Sequence, residues 1–472
     1  MGWSPVCVSF VLFLWKEDVC LLKTRGTLFS GRDLRRLLLP LIAELIFTAL
    51  MGTADTVMVA RVGDAAVSGV SLVDAVNNVM LMVFTATSTG GTIVCAQFLG
   101  ARARDGANRA ARQVLLSVAA ISALCGLGCV LLRRQILSLV FRDVEQSVMD
   151  AGLTYFLVTA ISYPFIGVYG ASAALYRAAG NSRRPMLVSA GGNLINIAGN
   201  AVFLFVFRWG VFGAALSTTL SRVLQCAVIL WLHRKPGQVI VLDRYLTIRP
   251  DWKMIRMILR VGIPTGVENG MFQLGRLMVQ STVALLPTAE IAAQAMINTL
   301  EYFTSMPSMA IGLGLVTVAG RCMGAGKPEE ARSYTILLTI YSELLVILTG
   351  ILIYLAVKPV CALSGLSRES AEIVVQIMLL ITVVKPFVWP LAFTPSNALR
   401  AAGDVKFSML VSAGSMWVFR VVLCAVLIRY LGFGVLGVWI AMFVDWTDRA
   451  IWFTVRFVRG KWTRMHVLEP EM

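Results

Sequence analysis

Long apolar stretches separated by short polar segments dominate the chain from residue 37 onward. Each is about 20 residues long, the length that a helix needs to cross the hydrocarbon core of a bilayer. Polar and apolar positions do not alternate within them, so helices are predicted rather than the strands of a barrel. The prediction is an all-α polytopic membrane protein with twelve transmembrane helices, at residues 37–60, 69–94, 114–132, 149–170, 186–207, 211–232, 261–286, 291–319, 334–357, 371–395, 408–428 and 435–455.

The second half of the chain repeats the first. RAAGNSRRPMLVSAG (177–191) and RAAGDVKFSMLVSAG (400–414) agree at ten of fifteen positions. GVFGAAL is answered by GVLGVWI 224 residues later, and Gly100 is answered by Gly324. A duplicated six-helix unit explains these echoes, and because six is even, both copies enter the membrane from the same side. Two pseudo-symmetric six-helix lobes of this kind are typical of transporters that place a substrate site between parallel repeats.

Five regions follow from the repeat and the spans. They are an N-terminal arm (1–36), an N-lobe (37–233), a cytoplasmic linker (234–260), a C-lobe (261–458) and a C-terminal tail (459–472). Within the linker, the sequence DWKMIRMILR has the spacing of a short amphipathic helix on the inner membrane surface.

The chain carries a net charge of +16, and the position of this charge predicts its partner. With both termini in the cytoplasm, 29 Lys and Arg residues fall in inner segments and 8 in outer loops, as the positive-inside rule requires. The basic residues form short clusters between spans without interleaved aromatics, which favours lipid headgroups over nucleic acid. The nine Cys include no CxxC pair, so neither a disulfide framework nor a zinc site is expected.

No pattern in the sequence indicates an enzyme. Only two histidines occur, His233 and His466. GRCMGAGKPEE resembles a phosphate-binding loop, but it lacks the required spacing and has Pro328 where Ser or Thr belongs. A cofactor is therefore not expected.

Several motifs, in order, resemble the multidrug and toxic-compound extrusion (MATE) transporters. They include MGTADTVMVARVGDAAVSGVSL, AQFLGARARDGANRAAR, RVGIPTGVENGMFQLGRL and ALYRAAGNSRRPMLVSAGGNLINIAGNAVFLF. The resemblance covers about residues 37–458. It implies a bacterial exporter with two six-helix lobes around a central cleft, coupled to inward movement of H⁺ or Na⁺.

Ionisable groups inside spans are costly, so each one in the first lobe is a candidate for function. Asp55 and Glu44 are eleven residues apart, which places them on one face of the first span. Asn196 and Asn200 lie on one stripe of the fifth span. The resemblance places Asp55, Asn196, Asn200 and Thr218 at the N-lobe ion site of the family, and it implies a Na⁺ site there if Na⁺ is the coupling ion. This chain departs from the family pattern at Asn200, where the pattern has Asp, so Asp55 becomes the main titrating group.

In the second lobe, Glu268 and Lys385 are the candidates. Glu268 follows Pro264 by one turn, and Lys385 precedes a run of three prolines that free backbone carbonyls to line a cavity. The two side chains are predicted to form a charge-compensating pair. The other charges within spans are predicted to be interfacial or structural: Asp74, Arg222, Glu301, Glu343, Arg420, Asp445, Asp448 and Arg449.

The predicted function is secondary active export of cationic, amphipathic small molecules by alternating access, as a monomer in a bacterial inner membrane. The alternative is a flippase for lipid-linked oligosaccharides or other lipid-like substrates. A flippase should carry an Arg-rich cavity for phosphates, whereas the candidates here are mainly acids and amides. The sequence leaves open the substrate and the choice of H⁺ or Na⁺.

Overall fold

The structure, a computed structural model, describes residues 28–141, 144–235, 237–242, 249–465 and 467–468. Within them, every regular element is a helix. The α-helices are α1 (Gly31–Ala60), α2 (Asp64–Gly100), α3 (Arg104–Leu131), α4 (Arg133–Val140), α5 (Gln146–Ile161), α6 (Tyr163–Ala178), α7 (Arg183–Asn200), α8 (Gly210–Arg234), α9 (Trp252–Val283), α10 (Thr288–Gly324), α11 (Pro328–Leu363), α12 (Arg368–Ala402), α13 (Val405–Ser415), α14 (Cys424–Arg429) and α15 (Gly434–Val458). Two π-helical stretches, Ala201–Val206 after α7 and Met416–Leu423 between α13 and α14, complete the fifth and eleventh spans.

The predicted fold class is confirmed, because each of the twelve predicted spans corresponds to one helix or to consecutive helical segments. In the described part of the chain, nine helices are long and apolar enough to cross a membrane, and the bent pair α5 and α6 gives a tenth. The other two spans are α9 and α15. Their ionisable residues, such as Glu268 in α9 and Asp445 in α15, lower their hydropathy.

The fourth span is bent rather than straight. Helix α5 ends at Ile161 and α6 begins at Tyr163, and the two axes differ by 49°. Pro164 stands at the start of α6, where its missing N–H and fixed φ suit a first turn but cannot continue α5. At the bend, the buried Ser162 hydroxyl donates to the carbonyl of Thr159 at 2.6 Å.

The echoed RAAG phrase marks two equivalent helix ends. Gly180 (φ 81°) and Gly403 (φ 104°) both adopt the left-handed conformation that glycine accepts without steric cost. In each copy the next amide reaches back into the helix: Asn181 N donates to Tyr176 O and Asp404 N to Leu399 O, both at 2.9 Å. These are Schellman-type caps. The repeated phrase therefore specifies how α6 and α12 stop before a short turn.

Two compact units divide the chain. The N-unit contains Arg36–Leu99 and Ala103–Asn269, and the C-unit contains residues 28–35, Gly100–Arg102 and the chain from Gly270 onward. The predicted domain boundaries remain a proposal. Each unit has its own apolar core; that of the C-unit includes the buried indoles of Trp439 and Trp446.

The segment before α9 is held inside the N-unit by one side chain of α3. Gln113 donates from Nε2 to the carbonyl of Arg249 at 2.8 Å and accepts from the amide of Asp251 at 3.1 Å. The Asp251 carboxylate then accepts from the amides of Lys253 and Met254. The prediction of a separate short amphipathic helix was wrong. DWKMIRMILR forms the first turns of α9, because nothing after Asp251 breaks the helix.

The segment before α1 is held in the C-unit in a similar way. Phe29 is buried, its amide donates to the Tyr334 hydroxyl at 3.2 Å, and that hydroxyl donates to the Phe29 carbonyl at 2.7 Å. Residues 1–27 of the predicted arm, residues 236 and 243–248 of the linker, and most of the tail beyond Met465, including His466, lie outside the described residues.

Small residues allow α2 and α9 to cross closely in the N-unit. A Cβ on Gly90 would meet the carbonyl oxygen of Ile258 and would lie 2.9 Å from the amide of Gly262. Backbone atoms cannot move aside as a flexible side chain can. In a bilayer, where apolar burial does not drive helices together, such close contacts supply much of the association.

Gly90→Ala should therefore lower the thermal midpoint of the purified protein in detergent, because overpacking typically costs about 1–3 kcal/mol. Gly128→Ala is the matched control, since among the described residues no atom beyond its own helical turn lies within 4 Å of a Cβ at that position. Equal midpoints for the two variants would contradict the close crossing.

Candidate functional site

Asp55, the leading candidate, faces Asn200 across the N-unit. The Nδ2 group of Asn200 donates to Oδ1 of Asp55. Asn200 is fully buried at the end of α7, where the π-helical stretch begins, and π-helical turns often mark functional positions. The Oδ1 atom of Asn200 is buried without a hydrogen-bond partner. An amide oxygen and a carboxylate side by side are hard oxygen donors of the type that small cations use.

Asn196 and Thr218 meet one helical turn away. Asn196 Nδ2 donates to Thr218 Oγ1 at 3.2 Å, and Ser217 Oγ donates to the carbonyl of Asn196 at 2.7 Å. The Thr218 hydroxyl donates to the carbonyl of Ala214, so its oxygen retains acceptor capacity. The structure thus brings Asn196 into contact with Thr218, and Asn200 into contact with Asp55. We refer to these four residues as the N-unit site.

Two charged residues that were predicted to be interfacial or structural lie within electrostatic range of Asp55. Arg222 interacts with both Asp55 and Asp74, and Asp74 interacts with Asp55. Arg222 lies one turn beyond Thr218 on α8, and its guanidinium donates to Ser162 Oγ at 2.8 Å, at the bend between α5 and α6. The i, i+4 spacing of Thr218 and Arg222 in the sequence indicates that both side chains lie on the same face of α8.

Asp74 belongs to a hydrogen-bonded chain. Asn77 Nδ2 donates to Asp74 Oδ1 at 3.2 Å, and the Tyr163 hydroxyl donates to Asn77 Oδ1 at 2.7 Å. Asn77 and Tyr163 are buried, whereas the Asp74 side chain is exposed. The carboxylates of Asp55 and Asp74 and the guanidinium of Arg222 together carry one negative charge in excess, enough to hold one monovalent cation.

Glu44 lies apart from this cluster. It shares a face of α1 with Asp55, but eleven residues at 1.5 Å rise separate them by about 16 Å along the axis. Its nearest charged partner is Arg177, whose NH1 lies 3.8 Å from Glu44 Oε2. Arg177 opens the echoed RAAG phrase, so Glu44 contacts the end of α6 rather than Asn200.

Lys385 pairs with Glu301, not with the predicted partner. Its ammonium lies 2.6 Å from Glu301 Oε1, and it also donates to Thr304 Oγ1 at 2.5 Å and Ser305 Oγ at 2.6 Å. Lys385 is 1% exposed. Glu268 is buried on α9 within the N-unit, whereas Lys385 belongs to the C-unit. The two helices α10 and α12 are neighbours in the C-unit, which is why Glu301 reaches Lys385.

The chain matches a family model described as MatE twice, over residues 40–202 and 264–426. The two matches are the two copies of the repeat, and together they cover more than half of the chain.

Relatives that align with most of this chain are named as a multidrug resistance protein and as a transporter. The "Probable multidrug resistance protein NorM" of Thermotoga maritima is 28% identical over 450 residues, covering 93% of this chain and 95% of the relative. The "Uncharacterized transporter YisQ" of Bacillus subtilis is 27% identical over 421 residues, covering 87% of this chain and 90% of the relative.

Solved structures share the fold at lower identity. An outward-facing multidrug resistance transporter of the MOP superfamily aligns with a TM-score of 0.85 at 19% identity, covering 94% of this chain and 99% of the other. A MOP superfamily transporter from Pyrococcus furiosus aligns with a TM-score of 0.84 at 20% identity, with the same coverage.

Lys385→Met should destabilise the protein by about 3–5 kcal/mol, because it leaves the Glu301 carboxylate buried without its cation. The double variant with Glu301→Gln should recover much of this loss. Thermal unfolding in detergent measures both. Arg368→Met is the control, since its pair with Glu372 is solvent-exposed and such i, i+4 pairs contribute only about 0.3–0.5 kcal/mol. A double variant no more stable than Lys385→Met would show that the two side chains are not coupled.

Proposed function

The chain belongs to the MATE family of multi-pass membrane transporters, and from this premise we propose that it is a secondary active antiporter exporting cationic, amphipathic small molecules. Membership in this family makes it a transporter rather than an enzyme. The family relationship supports export in general, and relatives in bacteria support a bacterial inner membrane as its location. The proposal adds the coupling mechanism and the residues that perform it.

One observation carries the mechanism: Asp55 holds Asn200 by its amide nitrogen, which leaves a buried amide oxygen free beside a carboxylate. In our proposal the N-unit site accepts the coupling cation from outside. Either a proton binds the Asp55 carboxylate, or Na⁺ binds the oxygens of Asp55, Asn196, Asn200 and Thr218. All four are hard ligands of the type that alkali cations prefer.

Arg222 gives this site its charge balance. Because the guanidinium compensates one of the two carboxylates, one incoming cation neutralises the cluster. Neutralising it removes the attraction for a positively charged cargo, so ion entry and cargo release become coupled. One elementary charge moving inward at 100 mV supplies about 2.3 kcal/mol, which supports roughly a fiftyfold cargo gradient.

 

Glu44 and Lys385 are assigned structural parts because each is paired within its own unit, with Arg177 and Glu301 respectively. Glu268, buried one turn after Pro264, remains a candidate for contact with cargo. We also propose that both termini are cytoplasmic and that the protein is a monomer.

Asp55→Asn should insert and fold, since an amide can keep a hydrogen bond with Asn200, yet it should abolish ion-driven efflux of ethidium from energised vesicles. Asp64→Asn is the matched control, because it makes the same chemical change at an exposed position at the start of α2. Efflux by Asp55→Asn at the wild-type rate would refute the ion-site assignment. Movement of a lipid-linked sugar without ethidium efflux by the wild type would favour a flippase instead.

Thr218→Val should show whether Na⁺ or H⁺ is the coupling ion. Na⁺ needs several oxygen ligands, whereas a proton needs only the carboxylate. Efflux driven by an imposed sodium gradient should therefore fall about tenfold on loss of one charge-dipole contact, while efflux driven by a proton gradient should change little. Equal losses under both gradients would show that Thr218 is not an ion ligand.

A further inference from the structure

A second buried group of charges lies in the C-unit, around Asp445 on α15. Arg420 NH2 lies 2.6 Å from Asp445 Oδ2, and Arg449 Nε lies 2.8 Å from Asp445 Oδ1. Ser415 Oγ donates to the same Oδ1 at 2.7 Å, and Arg449 NH2 donates to the carbonyl of Ser412 at 3.0 Å. The single Asp445 carboxylate thus forms ion pairs with two guanidinium groups.

The Lys385–Glu301 pair belongs to the same group, because Arg420 interacts electrostatically with Glu301 as well as with Asp445. We call Arg420, Arg449, Lys385, Asp445 and Glu301 the C-unit charge cluster. It holds three cations and two carboxylates, so one positive charge is in excess.

Arg420 is the least satisfied cation of the cluster. Among the described residues its buried Nε has no hydrogen-bond partner, and the residue is 8% exposed. Arg449 uses its Nε and NH2, and Lys385 makes three side-chain contacts. The flat face of Arg420 lies over the Phe272 ring at 5.0 Å, which leaves the edge of the guanidinium for a ligand.

Three members of the cluster stand at positions whose counterparts in the first copy are uncharged. At the offset of 224 residues that separates GVFGAAL from GVLGVWI, Asn77 corresponds to Glu301, Ser221 to Asp445 and Gln225 to Arg449. All three positions are uncharged in the first copy and charged in the second. Arg420 lies in the π-helical stretch of the eleventh span, as Asn200 borders the π-helical stretch of the fifth. The second copy has therefore acquired charges at three positions where the first copy has none.

A purely structural network would be expected to balance its charges, because an uncompensated cation in a bilayer costs roughly 2.5 to 3.5 kcal/mol on insertion scales. The cluster is also accessible at one end. The side chains of Glu301 and Arg420 are 17% and 9% exposed, whereas those of Lys385, Asp445 and Arg449 are at most 2% exposed.

We propose that the C-unit charge cluster binds an anionic group, a carboxylate or sulfonate of the cargo or a small inorganic anion, through the free edge of Arg420. The inference rests on the proposed export function and adds to it a substrate class: molecules that carry an acidic group beside their positive charge. The anion completes the charge balance that Asp445 and Glu301 leave unfinished.

A pair of dyes tests this directly. A rhodamine with a free carboxylic acid and its ethyl ester share one cationic ring system and differ in the acid alone. Fluorescence anisotropy with the purified full-length protein in nanodiscs gives both dissociation constants without any ion gradient. The wild type should bind the acid about tenfold more tightly than the ester, as one charge-assisted hydrogen bond allows.

Arg420→Gln should reduce this ratio to about one without weakening binding of the ester. Arg420→Lys keeps the charge and should retain part of the preference, which guards against a folding defect in the Gln variant. Arg368→Gln, an exposed surface change, should leave the ratio unaltered. Titrating chloride into a low-salt buffer balanced with sucrose, with the ester as the control for ionic screening, distinguishes the two sources of the anion. Competition by chloride against the acid alone supports a site shared with inorganic anions, and no competition supports a site for cargo only.

A wild-type ratio near one, or a preference for the acid that survives in Arg420→Gln, would overturn the proposal and leave the cluster a structural network. If the proposed export function itself is wrong, a separate efflux assay will show no gradient-driven efflux of the ester. The binding ratio does not depend on that result.

Discussion

A polar group inside a bilayer must find a partner within the protein, and this constraint organises the whole molecule. Glu44 meets Arg177, Lys385 meets Glu301, and Asp445 meets Arg420 and Arg449. Some buried polar atoms of the described residues have no hydrogen-bond partner, and the Asn200 Oδ1 and the Arg420 Nε are two of them. In our proposals each of these two atoms belongs to a ligand site.

The duplication supplies the same scaffold twice and lets the two copies diverge in charge. The helix ends at Gly180 and Gly403 are equivalent to the level of individual hydrogen bonds, because the caps are set by local backbone chemistry. The polar groups within the spans are not equivalent. The first copy surrounds Asp55 with amides, hydroxyls, Asp74 and the single cation Arg222, whereas the second concentrates two arginines and a lysine around two acids. A transporter with one cation-selective and one anion-tolerant site can treat a coupling ion and a charged cargo differently.

Much of the architecture could be predicted from the sequence, because apolar length and a repeat offset determine spans and their pairing. The proximity of Asp55 to Asn200 was also predicted, although only through the family resemblance. The partner of Lys385 was not, and neither was the position of Asp74 and Arg222 beside Asp55. Spans that are apolar on all sides carry little periodic signal for the direction in which a charged side chain points. The bend at Ser162, which brings Arg222 its hydrogen-bond partner, likewise depends on how Pro164 fits between packed helices.

The central claim is that Asp55 and Asn200 hold the coupling cation in the N-unit. Charge movement on a solid-supported membrane measures this most directly, since it records cation entry into the protein before any cargo moves. A jump in pH or in sodium concentration should produce a transient charge displacement in the wild type and none in Asp55→Asn. A displacement of unchanged size in Asp55→Asn would contradict the account.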